Sequence, residues 1–474
     1  MGQYIGRLPE LNIPDSQPFK EDKLRRSDCE SNLTNLVSNI NSSNGFVLAI
    51  NGEWGSGKTT FVKMWEKKLC SEGFDTIFVN VWENDFLEDP LVAFIAELQN
   101  KQSVKEKAKG TLKAVISEGG KILLNAAGST AKHFAGKYLG EETAEILAAG
   151  VQGGADSLTK YIEDYQQQSD TIRDFKAALT KLKEDLKSDT PLVFFVDELD
   201  RCRPSYAVKV LERIKHLFSV PGIVFVLSID RTQLANAVRG FYGSENINGD
   251  EYLRRFIDIE FQLPHPDPAL FCKHVYDIFK FDDIIQQNRS QRSHQDDGSL
   301  FLEWARVLFK AKGLNLRQIE KIFAQAALAF RTFSATTTIR GEVIFLLTYF
   351  SICESKFYRK LKAHEFSIDE IIIEIGKIIT PEIIQNATPY HSGNDHLLYH
   401  VCEIIWMYNT TETGQANVDL LSDDRDTKLL CASGPFDEDK FLKTLKDIRA
   451  YEFHGCPPSL KYYLNHIEFV SSLQ

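Results

Sequence analysis

Residues 52–59 read Gly52-Glu53-Trp54-Gly55-Ser56-Gly57-Lys58-Thr59 and have the GxxxxGK[ST] spacing of a phosphate-binding loop. An apolar run at 46–50 precedes this loop and Thr60-Phe61-Val62-Lys63-Met64-Trp65 follows it, so the loop joins a predicted strand to a predicted helix. Glycines allow backbone amides to turn toward an anion, and a helix N-terminus favours negative charge. We therefore predict that residues 52–59 and Thr60 bind the phosphates of a nucleotide.

Two side chains of the loop have separate predicted roles. Lys58 is placed to reach the β and γ phosphates and is a candidate catalytic residue. Thr59 supplies a hydroxyl that can ligate Mg²⁺. The pattern thus predicts ATP and Mg²⁺ as ligands. A guanine nucleotide is disfavoured, because the chain has no NKxD segment.

A second candidate segment is the apolar run 192–196, which ends in Asp197-Glu198. Five apolar residues predict a buried central strand that delivers both carboxylates beside the phosphate loop. Asp197 is predicted to hold Mg²⁺, directly or through water, whereas Glu198 is predicted to polarise a water for attack on the γ phosphate. Another strand ends near Ser228 and Asp230, where a polar side chain can contact that phosphate or cap the next helix.

The order of predicted elements indicates an α/β fold. Five apolar segments have the length and composition of strands: 46–51, 76–82, 192–197, 222–229 and 257–263. Helical patterns alternate with them, which favours a parallel sheet with helices on both faces. A Pro-rich break at 264–268 ends this domain. Residues 331–474 have helical periodicity and almost no strand pattern, so we expect an all-α C-terminal domain.

Residues 101–190 interrupt the alternation and are interpreted as a helical insertion. Residues 114–158 are rich in Ala and Gly, as packed transmembrane helices are. The longest uncharged stretches, 122–131 and 146–155, have about ten residues each, whereas a membrane span needs about twenty. Integral insertion is therefore disfavoured. A packed helical hairpin remains open, as does an amphipathic helix that binds a partner or a membrane surface.

Composition excludes some classes of protein. The chain has 474 residues, 43% of them apolar, and a net charge of −11, which gives no strong signal for nucleic-acid binding. Eight cysteines are scattered without a CxxC pair, as in proteins with reduced thiols. The N-terminus lacks the apolar core of a signal peptide. We expect a cytoplasmic protein with two or three domains.

Four segments together resemble the KAP family of P-loop NTPases. These are the phosphate loop, Asn80-Val81-Trp82 with acidic residues and a proline after it, Asp197-Glu198-Leu199-Asp200-Arg201-Cys202 with Pro204, and Tyr252-Leu253 before the Pro-rich break. The resemblance covers roughly residues 20–330. It implies a five-stranded parallel sheet in the order 5-1-4-3-2. Many members carry transmembrane helices in the insertion. The charged residues within 101–190 of this chain depart from that pattern.

The sequence pattern and the resemblance together predict a division of the chain into five segments. Residues 1–100 and 191–265 would be the two halves of the NTPase core. Residues 101–190 would be the helical insertion, 266–330 a helical lid, and 331–474 the C-terminal helical domain.

The resemblance also implies a role for Arg317, which lies on a predicted helix after the core. A guanidinium near the γ phosphate would stabilise the charge of the transition state, so Arg317 is a candidate catalytic residue. A surface arginine on an amphipathic helix is the alternative. Arg201, Arg203, Arg254 and Arg255 are rival candidates for the same role.

Taken together, these features predict a Mg²⁺-dependent ATPase that acts as a conformational switch or motor component. Similarity to bacterial members of the family implies a role in antiviral, anti-phage defence. The alternative is a nucleotide-gated scaffold or signalling adaptor with little hydrolysis, associated with a membrane surface or free of it. A P-loop kinase is disfavoured, because Glu198 suits activation of water. A protein partner or a second copy is expected to bind through the insertion and the C-terminal helices.

Overall fold

The structure is a computed structural model of the chain. It describes residues 12–40, 42–127, 157–244, 246–287, 297–333, 339–387, 396–410, 418–422, 428–452 and 458–472. The chain divides into two compact units, Leu11–His265 and Pro266–Gln474. Residues 1–11 lie outside the described residues. The finer division into five segments stays a prediction.

The first unit contains a five-stranded sheet: β1 (Phe46–Asn51), β2 (Thr76–Asn80), β3 (Leu192–Asp197), β4 (Ile223–Ile229) and β5 (Ile259–Gln262). Neighbouring strands are parallel, and the order across the sheet is β2-β3-β4-β1-β5. The predicted order 5-1-4-3-2 is therefore confirmed. Every residue of β3 and β4 is buried, which explains why these strands are almost continuously apolar.

The register of the strands brings polar residues to one edge of the sheet. Asn80 of β2 pairs with Asp197 of β3, and Asp197 pairs with Ser228 of β4. Asn51 of β1 pairs with Gln262 of β5. Because the strands are parallel, the loops that follow them open at this same edge, where open α/β sheets bind their ligands.

Nine helices are described in the first unit: α1 (Ser27–Ser38), α2 (Lys58–Ser71), α3 (Leu91–Asn100), α4 (Gln102–Lys107), α5 (Lys109–Ala127), α6 (Ser157–Asp185), α7 (Pro204–Leu217), α8 (Arg231–Tyr242) and α9 (Gly249–Leu253). A 3₁₀ turn, Leu199–Arg201, lies between β3 and α7. Strands β2 and β5 are shorter than the predicted 76–82 and 257–263, although Val81 N still donates to Asp197 O and Leu263 N to Asn51 O.

Two apolar cores lie on the two faces of the sheet. Successive strand residues point to opposite faces, so Phe194 and Phe195 enter different cores. Phe194 stacks on Phe225 with a ring separation of 4.8 Å. On the other face, Trp65 of α2 packs edge-on against Phe195, and its Nε1 donates to Thr34 Oγ1 of α1 at 2.9 Å. The helix that follows the phosphate loop is thereby fixed against both the sheet and α1.

The described part of the insertion packs into the first unit. Helices α5 and α6 contact each other, and Val115 and Phe175 are buried in the same core as Phe194. Gly119 makes this packing close, since a Cβ there would lie 2.2 Å from Ile95 Cδ1. Residues 128–156, which include the predicted uncharged stretch 146–155, lie outside the described residues. The helices that are described contain none whose length and apolar character would let it span a bilayer.

The regular elements described in the second unit are helices, apart from one isolated bridge between Leu421 and Leu429. Its helices are α10 (Pro268–Phe279), α11 (Phe281–Gln287), α12 (Asp297–Ala311), α13 (Leu316–Thr332), α14 (Gly341–Cys353), α15 (Ser355–Ala363), α16 (Ile368–Ile378), α17 (Pro381–Ala387), α18 (His396–Asn409), α19 (Glu438–Glu452) and α20 (Leu460–Ser472). The predicted all-α C-terminal domain is confirmed.

Candidate nucleotide-binding site

The phosphate loop connects β1 to α2, as predicted. Gly55 and Gly57 have φ angles of +80° and +84°, which L side chains rarely adopt. Gly52 has no room for a side chain, since a Cβ would lie 2.9 Å from Ser56 Oγ. Gly57 directly precedes the first residue of α2, so the loop opens onto a helix N-terminus. Backbone and helix together form a cradle that fits a phosphate.

Lys58 lies buried at the start of α2 and folds over the loop. Its Nζ donates to Gly52 O at 2.6 Å and to Glu53 O at 3.2 Å. Burial lowers the pKa of Lys58, and Asp200, Asp230 and Asp197 counteract this lowering. The ammonium group therefore sits on the loop among three carboxylates, where an anionic ligand would find a positive charge already in place.

Asp197 ends β3 and is only 2% exposed. Burial raises its pKa, and the nearby hydroxyls of Ser228 and Thr59 counteract the increase. Among the described residues, no group forms a hydrogen bond with Asp197 Oδ2 or with Ser228 Oγ. Buried polar atoms normally have partners, so an unpaired carboxylate oxygen points to a missing one. A carboxylate beside the Thr59 hydroxyl is a donor set that fits Mg²⁺.

Glu198 follows Asp197 but is held differently. Its backbone adopts a left-handed conformation with φ of +62°, which is uncommon for a residue with a side chain. Oε1 accepts from Arg201 at 2.5 Å, and Oε2 accepts from Asn80 Nδ2 at 3.2 Å. Both carboxylate oxygens are therefore engaged by the protein. The guanidinium of Arg201 also lies over the ring of Trp82, 5.6 Å from its centre.

A direct bond joins the phosphate loop to the turn after β3. Trp54 Nε1 donates to Asp200 Oδ2 at 2.5 Å, while 43% of the tryptophan surface remains exposed. Burial raises the pKa of Asp200, with Lys58 as the main opposing influence. Asp200 thus interacts with two residues of the loop, the indole N–H of Trp54 and the ammonium group of Lys58.

Three contacts at this site were not predicted from the sequence, namely those of Asn80, Asp200 and Trp82. One signal was available for Asn80, because it ends a predicted strand as Asp197 does, and parallel strands end at the same edge. The contact between Trp54 and Asp200 depends on loop geometry, which no periodicity encodes. Of the two polar candidates, Ser228 lies within β4, whereas Asp230 follows it and caps α8 by accepting from Gln233 N at 3.2 Å.

The candidate arginines lie in different surroundings. Arg203 pairs with Asp85 at 3.1 Å, and Arg254 pairs with Glu251 at 3.1 Å. Arg201 forms its ion pair with Glu198, which is a predicted catalytic residue. Arg255 is exposed, and Arg317 is exposed in the first turn of α13, in the second unit. The role of Arg317 stays a prediction.

Comparisons with known proteins identify a family for more than half of this chain. A model of the KAP family P-loop domain matches residues 26–346. The phage T7 exclusion protein of Escherichia coli (strain K12) is 22% identical over 260 residues, which is 52% of this chain and 34% of that protein. The chain thus aligns with about a third of that relative's length.

Two solved structures superpose loosely on the chain. The Aeropyrum pernix ORC2 protein, in its ADPNP-ADP complexes, has 13% identity and a TM-score of 0.34, with 95% of this chain and 97% of that chain covered. Drosophila ORC bound to DNA has 12% identity and a TM-score of 0.35, with 91% of this chain and 96% of that chain covered.

Proposed function

The chain belongs to the KAP family of P-loop domains, and on that premise we propose that it is a Mg²⁺-dependent ATPase. The observation that carries the proposal is the unpaired Oδ2 of Asp197, which is buried beside Thr59 at the end of β3. A carboxylate oxygen left without a hydrogen-bond partner at this depth is costly unless a cation completes the site. Lys58, on the neighbouring loop, supplies the charge for the phosphates.

The residues divide the proposed reaction between them. Backbone amides of the loop and the Lys58 ammonium bind the phosphates, so the γ phosphate is fixed in place. Thr59 and Asp197 would hold Mg²⁺, and the bound cation would neutralise charge on the phosphate oxygens. Glu198 accepts a proton from the attacking water once Arg201 and Asn80 release its carboxylate. Arg317 remains our proposed source of a further positive charge near the γ phosphate.

Hydrolysis and nucleotide binding can be tested with one pair of variants. Lys58→Ala should weaken ATP binding more than about a hundredfold, because a charge-assisted contact with phosphate is lost. Lys63→Ala, on the exposed side of the same helix, should bind ATP as the wild type does. Phosphate release by the wild type should stop when EDTA removes Mg²⁺. Hydrolysis that continues in EDTA or in Lys58→Ala would refute the proposal.

A second function is favoured by the contacts of Glu198. Because both its oxygens are engaged, the chain can also act as a nucleotide-gated scaffold that retains ATP. Single-turnover phosphate release separates the two functions. An ATPase releases phosphate within minutes of binding, whereas a scaffold retains intact ATP for hours. If the protein adopts one conformation with ATP and leaves it when ATP is hydrolysed, it acts as a conformational switch.

We further propose a cytoplasmic role in anti-phage defence, supported by the name of the Escherichia coli relative. The helical insertion and the C-terminal helices would bind a protein partner or a second copy. Plating a panel of phages on bacteria that express the wild type or Lys58→Ala tests this role. Protection should require an intact Lys58. Equal plaque numbers with wild type, Lys58→Ala and empty vector would refute it for those phages.

A further inference from the structure

Five aromatic side chains of the first unit are exposed to solvent. Trp54 belongs to the phosphate loop, Trp82 and Phe86 follow β2, and Phe241 and Tyr242 end α8. Each of the five is between 42% and 57% exposed. They make up half of the ten large apolar side chains that are exposed in the described part of the chain. Scattered exposed rings need no explanation, whereas a contiguous group of them marks an interaction site.

Two contacts connect Trp54 to Trp82. The indole N–H of Trp54 donates to Asp200, in the turn after β3. The next residue of that turn, Arg201, lies over the ring of Trp82, 5.6 Å from its centre. Both tryptophans therefore border the same turn.

Two further contacts extend this group to the end of α8. Arg203 Nε donates to Asp85, the residue before Phe86, at 3.1 Å. Pro204 begins α7 and is adjacent to Gly240 of α8, since a Cβ at Gly240 would lie 3.8 Å from Pro204 Cγ. We call the resulting group the aromatic surface, which consists of Trp54, Trp82, Phe86, Pro204, Phe241 and Tyr242.

The segment after β2 is fixed to α7 at two points. Asp85 accepts from Arg203 N at 2.8 Å, and Asp89 accepts from Arg213 Nε at 3.1 Å. Between them, Leu87 is buried. The segment thus holds its two exposed rings in place. A surface that is already ordered loses less conformational entropy when it binds.

One end of the aromatic surface carries negative charge. Glu53 lies in the phosphate loop, and Glu83 and Glu88 lie in the segment after β2; all three are exposed. No described cation forms an ion pair with any of these carboxylates. The arginines nearby, Arg201 and Arg203, are already paired with other carboxylates.

The other end carries positive charge. Arg254 and Arg255 follow α9 and are exposed. Arg254 pairs with Glu251, and both side chains are largely in solvent, where such a pair contributes little. Arg255 has no ion pair within the described residues.

Tyr252 places these arginines next to the aromatic surface. Its ring lies 5.6 Å from that of Tyr242. Burial raises the pKa of Tyr252, and Tyr242 and the half-buried Glu212 add to the increase. Arg255 counteracts the increase, so its guanidinium lies near the Tyr252 ring. The positive end is therefore at Tyr242, away from the negative end.

We propose that the aromatic surface docks onto the same surface of a second copy of this chain. A two-fold axis sets the end with Glu88 in one copy against the end with Arg255 in the other, and the same contact forms twice. The exposed rings are then buried between two oppositely charged contacts. Because the surface carries both signs at separate ends, its best complement is itself. It is distinct from the insertion and the C-terminal helices proposed above as binding regions.

Sedimentation of the full chain over roughly 0.1–100 μM gives the dissociation constant of the dimer, since interfaces of standard size have micromolar affinity or tighter. Phe86→Ser should raise this constant at least about tenfold, because a symmetric interface loses the ring twice. Phe469→Ser, at a position on α20 that is equally exposed, is the matched control and should leave the constant unchanged. Each variant should unfold at the wild-type temperature when measured at a concentration where the wild type is monomeric.

Charge reversal tests the two-fold pairing itself. Glu88→Arg and Arg255→Glu should each raise the dissociation constant at least about tenfold, because like charges then face each other twice. An equimolar mixture of the two variants should dimerise again, since in the mixed dimer each reversed charge faces its opposite.

Three results would overturn the inference. The first is a wild type that stays monomeric at every concentration, with and without MgADP, because the exposed rings would then serve a different protein. The second is a dimer that Phe86→Ser and both charge reversals leave intact, which would place the interface elsewhere. The third is a mixture of Glu88→Arg and Arg255→Glu that remains monomeric, because the two ends would then not meet.

Discussion

The phosphate loop already has the conformation that phosphate binding requires, whereas the turn after β3 does not yet have a free residue to activate water. In the loop, the glycines adopt their required conformations and Lys58 already lies over the backbone. In the turn, Asp197 has an unpaired oxygen, whereas both oxygens of Glu198 are held by Arg201 and Asn80. The loop is thus ready to bind, while the residue proposed to activate water is restrained. The contrast suggests that binding and hydrolysis are separate steps, with control exerted on the second.

The largest expected effect comes from Glu198→Gln. An amide cannot accept the proton of the attacking water, so hydrolysis should fall by about 10² to 10⁴. The dissociation constant for ATP should stay within about twofold of the wild type, because the loop is untouched. Glu251→Gln, at an exposed position, is the matched control. Undiminished turnover in Glu198→Gln would remove Glu198 from the mechanism and place the base elsewhere.

Asp197→Asn should separate stability from activity. Burial raises the pKa of Asp197, so the folded state favours the protonated carboxyl. Stability from this group is fully present below the unfolded-state pKa and is lost as pH rises through the higher folded-state pKa. At neutral pH the charge is a cost, and replacing it with a neutral amide should stabilise the nucleotide-free protein by about 1–3 kcal/mol.

Urea unfolding of Asp197→Asn at several pH values, from about 4 to 8, measures this effect. The stability difference from wild type should grow with pH, and hydrolysis should be lost at every pH. Asp189→Asn, an exposed position in the same unit, should show neither change. An Asp197→Asn protein that is less stable than wild type at neutral pH would mean that the carboxylate has a partner in the nucleotide-free state.

Arg201→Gln tests whether Glu198 is restrained. The two side chains are partly exposed, so their ion pair contributes about 1 kcal/mol or less. Releasing it should raise the hydrolysis rate by at most about fivefold, with ATP affinity unchanged. Arg203→Gln breaks the neighbouring pair with Asp85 and serves as the control. A fall in hydrolysis with Arg201→Gln would show instead that Arg201 supports the reaction.

Much of the loop was predictable because its pattern is local. A strand, a glycine turn and a helix N-terminus follow each other within residues 46–65, so spacing alone places Lys58 and Thr59. The sheet order came from family resemblance, and the parallel direction from alternation of strands and helices. The cue for Asp197 was equally local, an apolar strand that ends in a carboxylate.

The remaining features were not predictable because they join distant segments. Asn80 reaches Glu198 across 118 positions, and Trp54 reaches Asp200 across 146. Arg26 lies before the loop, and its partner Pro264 is 238 positions away. Each contact depends on how turns are oriented after the strands end. Hydrophobic periodicity carries no information on such side-chain directions.

The smallest effect is expected from Trp54→Phe, which tests whether the loop and the turn act together. Phenylalanine keeps the ring but loses the hydrogen bond to Asp200, so ATP affinity should fall only about two- to threefold. Asp200→Asn should have an effect of its own, because Asp200 also faces Lys58. If the bond couples the two regions, the double variant should be less impaired than the sum of the single effects. Additive effects on ATP affinity would mean that the loop and the turn bind nucleotide independently, and that control of Glu198 does not pass through Trp54.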